Sequence, residues 1–517
     1  MSWLNKQFTI KIYLLRHTLL VLGFLCSRVL CGQTDPLATG KWKTLRIDES
    51  TVVTLSQQDF INLGFDVSAI DPRDIRVFAN MGEGYPAENP EIVHATAPEV
   101  PLYFPGGEDG VFNEQDKAQF YIQGTQTWFQ RGGFIDRKLN LYTDEVVFYI
   151  GYDDGVRGKR ITTSKDQLNE NAPIIEQASE LTLIENDLIN PLKMGNWWLG
   201  EKLGNQTLER SFDININDQA DSTNVSVYMG ASMVGNTGTL SSLINGNKTN
   251  VNLRSNFSSD EVTYPFSFHE KIGKTSNVDI QLKLNRPNIE SSAYIDYIVT
   301  QSWVPHGLNS HCALLYYMDS DLDPSNGGTL RFPNSLRSAT FWDVSDPYNP
   351  KILSTIKFVD GVNVPLTYKE GLTTLFIEES KNSCNELVKR QIANKTYKNF
   401  DYRGINNISN STLYICPPKY KETLSSLNWS KINTDAAIVT TSEIYNQYSG
   451  GQADLGAIRT YIRYLYNTHK NSNGAPKLKY VTLVGSASYD FRDRLDGNTN
   501  DIPIYQSNGI QKTTNYC

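Results

Sequence analysis

Two short apolar runs with a helical pattern between them stand out near the end of the chain. Residues 436–441 and 480–484 are rich in β-branched residues, as buried strands are. Between them, Asp454 is a suitable N-cap for apolar residues at helical spacing, namely Leu455, Ile458, Ile462, Leu465 and Tyr466. The pattern predicts a βαβ unit whose two buried strands lie side by side and parallel, with the helix across them. The loops after Thr441 and Gly485 then open at the carboxyl edge of the sheet, where ligands usually bind.

The middle of the chain alternates strictly between apolar and polar residues. Residues 211–216, 225–229 and 278–284 show this period of two, which indicates strands with one buried and one solvated face. Residues 294–299 and 341–344 are predicted to be the last strands of this region. Several such strands separated by short turns predict an antiparallel β-sandwich.

From Gly40 onward the chain is predicted to form short strands joined by turns. Residues 42–47 and 52–55 have strand patterns, and Ser56 is suited to cap a short helix. A proline-containing turn then leads into a further strand at 75–78. This first region is therefore predicted to be rich in β structure.

These patterns predict a multidomain protein with a β-rich N-terminal region, an antiparallel β-sandwich and the start of an α/β domain. At 517 residues the chain has room for about three domains. The predicted division is a signal peptide at 1–32, a β-rich domain at 33–190, a β-sandwich at 191–355, a connecting segment at 356–410 and an α/β domain at 411–517.

The first 32 residues are predicted to be an export signal. Lys6, Lys11 and Arg16 precede an apolar run at 19–25, which is too short to span a bilayer. An uncleaved anchor is the alternative. Lipidation at Cys31 is disfavoured, since the residues before it are not the small ones that a lipidated cysteine follows.

Composition and net charge limit the classes of partner that the chain is expected to bind. The hydrophobic fraction of 39% and the aromatic fraction of 11% are typical of folded domains. A formal charge of −8 gives no basic footprint, so nucleic acid is not expected as a partner.

The cysteines and histidines show no metal-binding spacing. Cys312, Cys384, Cys416 and Cys517 are isolated in the sequence and are predicted to be buried or incidental thiols, with a metal or redox role as the alternative. His306 and His311 bracket Cys312, but their intervals match no common zinc motif. A structural role is expected for them.

Two acidic turns are candidates for calcium. Glu108, Asp109, Asn113, Glu114 and Asp116 lie on a glycine-containing turn, and oxygen-rich loops of this kind can hold Ca²⁺. The alternative is a solvated turn. No other cofactor is expected.

A second acidic group, Asp490, Asp493, Asp496 and Asp501, follows the last predicted strand. It lies where its carboxylates can orient a base or bind calcium. A solvated loop is the favoured alternative.

Adjacent tryptophans mark the boundary between the two β regions. Trp197 and Trp198 either point to opposite faces of a strand or lie covered in a domain junction. A platform for stacking sugars is the functional alternative.

Several common catalytic motifs are absent from the sequence. Residues 485–488 lack the second glycine of a serine-hydrolase elbow. No phosphate-binding glycine loop follows a strand, and H-E-x-x-H does not occur. Serine hydrolysis, nucleotide binding and zinc proteolysis are therefore disfavoured.

The last hundred residues resemble the opening of a gingipain-type cysteine peptidase domain, which has a caspase-like α/β fold. The resemblance is carried by residues 444–451, Asp454, 457–459, 483–485 and 487–490. Segments of the first β region are also similar to the surface sortases of the bacterial type IX secretion system. The sequence departs from the family at Ser486, where an aspartate is more common.

The resemblance implies an exported, surface-associated cysteine peptidase or sortase that processes the C-terminal signals of secreted cargo. Its partners would be protein substrates and outer-membrane secretion components. The family's catalytic histidine and cysteine lie on later strands, so they are expected beyond Cys517, and this chain alone is expected to be inactive. No catalytic, cofactor-binding or metal-binding residue is assigned. The alternative is a non-catalytic, β-rich surface protein that binds or adheres to a partner.

Overall fold

The computed structural model describes residues 36–82, 84–85, 97–193, 197–205, 207–255, 263–307, 312–379, 384–400, 404–427, 435–495 and 497–505. The predicted leader at 1–32, His311, Asp496 and Cys517 lie outside these ranges. Among the described residues, no helix is both long enough and apolar enough to cross a membrane. The predicted fold class, β-rich regions followed by an α/β unit, is confirmed.

The first β region is built around a strand that is buried on both faces. Its elements are β1 Lys41–Ile47, β2 Thr51–Ser56, α1 Gln57–Asn62, β3 Ile75–Ala79, β4 Glu99–Val100, β5 Lys117–Ile122, β6 Gln126–Arg131, β7 Phe134–Leu139 and β8 Val146–Tyr152. Strand β8 pairs antiparallel with β1 on one side and with β3 on the other. Leu45 and Phe148 face one core, whereas Trp42 and Tyr149 face a second cluster on the opposite side of the sheet. All seven residues of β8 are buried for this reason.

The predicted cap of the first helix is confirmed. The Ser56 hydroxyl accepts the N–H of Asp59, and the Asp59 carboxylate accepts the N–H of Ser56 at 2.7 Å. This reciprocal pair satisfies backbone donors that the first turn of a helix leaves free.

The second β region consists of antiparallel layers. Its strands are β9 Ile174–Ile175, β10 Gln177–Glu185, β11 Lys202–Leu203, β12 Glu209–Asn215, β13 Ser222–Ser232, β14 Gly238–Ile244, β15 Asn247–Leu253, β16 Tyr264–Gly273, β17 Asn277–Asn285, β18 Ser292–Pro305, β19 Cys312–Tyr317, β20 Gly328–Pro333, β21 Thr340–Asp343, β22 Lys351–Ile352, β23 Ile356–Lys357, β24 Gly361–Leu366 and β25 Thr373–Glu378. One large sheet has the order β16-β13-β18-β10-β19-β25-β21-β22.

The large sheet contributes to two separate cores. At one end, Val227 and Ile298 pack with Leu240 and Ile280 of the sheet β12-β17-β14-β15. At the other end, its strands pack with the sheet β23-β24-β20-β9. The sandwich is thus confirmed, and it continues past the strand predicted to be its last, because β24 and β25 join it.

The segment 356–410 contributes to both β regions. After β25, helix α2 (Glu386–Ala393) places Val388 and Ile392 in the core of the first region. Strand β26 (Lys398–Asn399) then pairs with β1. The sequence predicts no helix here, and the domain boundaries themselves stay a prediction.

The prediction that Cys312 and Cys384 are thiols is wrong. They form a disulfide, with 6.2 Å between their Cα atoms. Cys312 begins β19, and residue 384 lies between β25 and α2, so the antiparallel pairing of β19 with β25 brings the two cysteines together across 72 residues of sequence. Sequence spacing gives no sign of such a contact.

The third region is a parallel sheet with helices. Its elements are β27 Thr412–Cys416, α3 Pro418–Ser425, β28 Ala436–Thr440, α4 Thr441–Tyr448, α5 Leu455–Thr468 and β29 Tyr480–Leu483. Strand β27 pairs in parallel with β28 and with β29, so the strand order is β28-β27-β29. The prediction that 436–441 and 480–484 lie side by side is wrong, because β27 lies between them. A local pattern identifies parallel strands but does not fix their order.

The burial of this unit also differs from the prediction. Helix α5 packs Ala457, Ile458, Tyr461 and Leu465 against β27 and β28, whereas Tyr466 is exposed. Strand β29 is exposed along its whole length, because α5 covers the other two strands. The loop expected after Thr441 is a helix, which the Thr440 hydroxyl and the Glu443 carboxylate cap reciprocally.

Candidate functional site: the carboxyl edge of the parallel sheet

The three parallel strands end at one edge, and the segments that follow them form the candidate site. Chemistry in open α/β sheets is usually located at this edge. Strand β27 leads to Pro417, β28 leads into α4, and β29 leads to the segment 484–505. The Val484 N–H still bonds to the carbonyl of Ile415 at 2.8 Å, so this segment leaves the sheet beside the end of β27.

Asp501 ties the segment after β29 to helix α3. Its carboxylate accepts the N–H of Ser486 at 3.0 Å and the hydroxyl of Tyr420 at 3.2 Å, and it pairs with Lys419. The hydrogen bond from Lys419 is the largest cause that lowers the pKa of Asp501. A cavity of about 280 Å³ lies beside this contact and is lined by Tyr420, Leu424 and Ser486, among others.

Asp490 closes the next turn from a buried position. Its carboxylate accepts the N–H of Leu495 at 2.7 Å, and its carbonyl accepts the side-chain amide of Asn498 at 2.8 Å. The favoured prediction of a solvated loop is therefore wrong for Asp490, because this carboxylate closes the turn, whereas Asp493 is exposed.

The carboxylates of the earlier acidic turn also bond to backbone. Asp109 accepts the N–H of Val111 at 2.9 Å, and Asp116 accepts that of Asn113 at 2.8 Å. Within the described ranges, no three His, Cys, Asp or Glu side chains are placed together as a metal would require. Calcium at either acidic turn stays a prediction.

The described cysteine and histidine of the third region lie far apart in the fold. Cys416 ends β27 at the carboxyl edge and is buried, and burial raises the pKa of its thiol. His469 follows the end of α5, and its Nε2 contacts the carbonyl of Asn406 at 2.7 Å, ahead of the start of β27. These two side chains therefore do not form a catalytic pair.

The motif at 444–451 attaches the third region to the first. Tyr149 donates its hydroxyl hydrogen to the carbonyl of Asn446 at 2.9 Å, and Gln452 donates to the carbonyl of Asn80 at 2.8 Å. Gly451 has a φ of 89°, and a Cβ there would lie 2.9 Å from the Tyr149 hydroxyl. The close approach of the Tyr149 hydroxyl to the backbone therefore requires glycine at position 451.

Asp454 caps α5 at the same contact. It is buried, and its carboxylate accepts the N–H groups of Gly456 at 2.6 Å and of Tyr85 at 2.8 Å. Burial raises its pKa to about 6. The predicted N-cap is confirmed, and its bond to Tyr85 of the first region could not be inferred from the helix pattern.

The tryptophan pair lies in a domain junction. Trp197 donates its indole N–H to Asp296 at 3.1 Å, and Trp198 is buried beside Tyr489 with 6.1 Å between the ring centroids. The alternative of a sugar platform is not supported, because the face of Trp198 is covered by this chain.

His306 has the structural role expected from the sequence. It is buried, its Nδ1 contacts the carbonyl of Arg331 at 2.7 Å, and its Nε2 lies 2.8 Å from the hydroxyl of Tyr317. The ring stacks on Phe332, and burial lowers its pKa to about 4. Cys312, which follows His306 in the sequence, forms the disulfide with Cys384.

The third region is similar to a known protein family. Residues 406–517 match the model of Peptidase family C25. The resemblance to gingipain-type cysteine peptidases is confirmed. No curated protein matches the sequence. The edge that holds Cys416, Ser486 and Asp501 thus lies within the segment that matches this family.

The fold of most of the chain matches a solved structure described as dimeric latent PorU from Porphyromonas gingivalis. The match has a TM-score of 0.70 and 16% identity, and it covers 88% of this chain and 42% of that one. At this identity it establishes a PorU-like fold, and this chain spans less than half of the length of that PorU chain.

Other solved structures match with low scores. They include the carbohydrate-binding module CBM36 in complex with calcium and xylotriose, at a TM-score of 0.16 and 18% identity, covering 23% of this chain and 97% of that one. A cycloalternan-forming enzyme from Listeria monocytogenes matches at 0.18 and 10% identity, covering 49% of this chain and 19% of that one. Neither adds to the assignment.

Proposed function

We propose that this chain is the N-terminal part of an exported gingipain-type cysteine peptidase or sortase that processes C-terminal signals of type IX secretion cargo at the cell surface. The observation that carries the proposal is the family C25 match over the parallel sheet at 406–517, within a PorU-like fold. Its partners would be secreted proteins and outer-membrane secretion components.

In such a reaction a thiolate attacks the backbone carbonyl of the cargo, and a histidine passes the proton to the leaving amine. The acyl group then passes from the sulfur to water or to an amine acceptor, which releases the thiolate. The described residues bring no cysteine and histidine together, so residues outside them would supply this pair. The exposed edge of β29 supports this, because further strands of a larger sheet can pair there.

The disulfide supports export. Structural disulfides form in oxidising compartments and are rare in the cytosol. Cys312 and Cys384 join a strand of the second β region to the segment that leads into α2 of the first, so the bond fastens the two regions together. Such a bond suits a protein at the cell surface.

The test is covalent labelling of the full open reading frame that encodes this chain. A peptidyl probe with a thiol-reactive group should label one cysteine outside the described residues, and prior alkylation should prevent it. A Cys416→Ser variant is the matched control and should label equally, because Cys416 is buried at the end of β27. A folded sample that takes up no label would refute the proposal.

The second candidate is a non-catalytic surface protein that binds a partner through its β regions. The separation of Cys416 and His469 favours it. The same experiment decides between the two candidates, since a folded, exported and unlabelled protein is the outcome that this second candidate predicts.

A further inference from the structure

The loop after β29 is attached to both β regions by two arginines. Arg492 pairs with Asp144 and donates to the carbonyl of Asn140, in the first β region. Arg494 pairs with Asp187, which follows β10 of the second region. We call these two ion pairs the charged junction. We propose that the charged junction acts as a lock, which holds the loop 489–495 at the carboxyl edge in the conformation that the β regions set.

Aromatic side chains shield the charged junction on both sides. The guanidinium of Arg494 lies 4.9 Å from the centroid of Trp198, which also faces Tyr489. Phe491 packs on Tyr142, with 4.8 Å between the ring centroids. Because the ring of Trp198 covers one side of the Arg494 guanidinium, the pair of Arg494 with Asp187 is screened less than a surface pair is.

Three of the four charged side chains of the junction are largely buried. The side chains of Arg494 and Asp187 are 17% and 18% exposed, and that of Arg492 is 11% exposed, whereas Asp144 is 69% exposed. Removing one partner of such a pair leaves a partly buried charge without compensation. Arg494 and Asp187 are therefore the more important pair, and Arg492 is the second anchor.

Further charges surround the junction. Glu185 faces Arg137, Asp187, Asp296 and Arg492, and burial raises its pKa to about 7. Asp296 faces Arg137, Asp187, Asp136 and the indole of Trp197, and burial raises its pKa to about 6. Arg131 pairs with Asp136 at 3.1 Å. The charge of Arg492 lowers the pKa of Glu185, but burial and the carboxylates of Asp187 and Asp296 raise it by more.

A cavity gives ions and protons access to these groups. It has a volume of about 440 Å³ and is lined by Asp48, Asp144, Glu185, Asp187 and Arg492, among others. Because burial raises the pKa of Glu185, the closed junction favours its protonated form, so the lock is expected to be tighter below pH 6 and looser above pH 7, where Glu185 ionises. The inference holds for this chain whether or not the third region has peptidase activity.

The test is hydrogen exchange of the 517-residue chain, read on peptides that cover 489–495. Arg494→Gln or Asp187→Asn should accelerate exchange of the loop roughly tenfold, with exchange of α5 unchanged. The charge swap, Arg494→Asp with Asp187→Arg, should restore most of the protection. Arg331→Gln is the matched control, because its ion pair with Glu176 is exposed.

Two further readouts separate a lock from a general loss of structure. Exchange of the loop should accelerate as the pH rises from 5.5 to 7.5, after correction for intrinsic exchange, and Glu185→Gln should remove this acceleration. If Arg494→Gln unfolds the chain, the wild-type chain is measured instead at NaCl concentrations up to 1 M. Exchange of the loop should then accelerate at a lower salt concentration than exchange of α5 does, because salt screens the ion pairs. Loop exchange at the wild-type rate in a folded Arg494→Gln variant, or a rise that loop and α5 share in salt, would overturn the proposal.

Discussion

Ile438 and Leu483 lie on strands that run in the same direction, but strand β27 separates them. Tyr414 pairs with Ile438 on one side, and Ile415 pairs with Leu483 on the other. The connection from β28 to β29 therefore carries α4 and α5 past the central strand. Strand β27 has a neighbouring strand on each side, whereas β29 has one on one side only among the described residues.

This difference predicts unequal costs for two similar substitutions. Ile415→Ala should lower the free energy of unfolding by about 2–5 kcal/mol, because it opens a cavity at a fully buried position. Leu483→Ala, the matched control, should cost less than about 1 kcal/mol, since Leu483 is 49% exposed. Chemical denaturation followed by circular dichroism measures both. Equal costs would contradict the strand order.

The strands and helices of the third region were largely predictable, whereas their arrangement was not. The apolar runs around Ile438 and Leu483 and the cap at Asp454 are local signals, and the structure contains all three. The position of β27 between the two strands depends on how long crossovers pack, and no local pattern contains that information. The sequence pattern does not identify Tyr461 as a core residue, because a buried tyrosine hydroxyl needs a hydrogen-bond partner. Only the structure shows that partner, which is the carbonyl of Ile405.

The contacts between regions were the least predictable. The disulfide of Cys312 and the bond from Tyr85 to Asp454 join residues that are far apart in sequence. The glycines at 450 and 451 were visible as part of a family motif, but their role in contacting Asn80 and Tyr149 appears only in three dimensions. Contacts between residues that are far apart in the sequence produce no periodic pattern from which they could be predicted.

Reduction of the disulfide should destabilise the protein. Replacing Cys312 and Cys384 by serine should lower the free energy of unfolding by about 2–4 kcal/mol, because the bond closes a long loop in the unfolded chain. Dithiothreitol should produce a similar loss in the unmodified chain and none in the double variant. An equal response of both proteins to dithiothreitol would rule out this bond as the cause.

Gly451→Ala should weaken the attachment of the third region to the first. The added Cβ would lie 2.9 Å from the Tyr149 hydroxyl, in addition to the strain of a φ of 89°. Gly474→Ala is the matched control, because φ is 81° there and no atom lies within 4 Å of the added Cβ. The extra cost at Gly451 should be about 1–3 kcal/mol, measured as the difference in unfolding free energy. The absence of a difference would show that the contact is not tight.

His306 should make the second β region sensitive to acid. Its pKa is about 4 in the folded protein and 6.5 as the ordinary value, so folding favours the neutral ring. Its contribution to stability is complete above pH 6.5 and is lost as the pH falls through 4, with a total of about 3 kcal/mol. His306→Gln should flatten the stability profile in this window more than His269→Gln does, because burial lowers the pKa of both rings but His269 is the more exposed of the two. Identical profiles for wild type and His306→Gln would contradict this assignment.

The parallel sheet with β27 at its centre can be tested most directly by disulfide trapping in a Cys416→Ser background. Tyr414→Cys should cross-link with Ile438→Cys and, in a second variant, with Thr482→Cys, because both partners are on adjacent strands. Ile438→Cys with Thr482→Cys should not cross-link, since two strand spacings of about 4.8 Å exceed the reach of a disulfide. Efficient cross-linking of Ile438→Cys with Thr482→Cys, and none through Tyr414→Cys, would contradict the account.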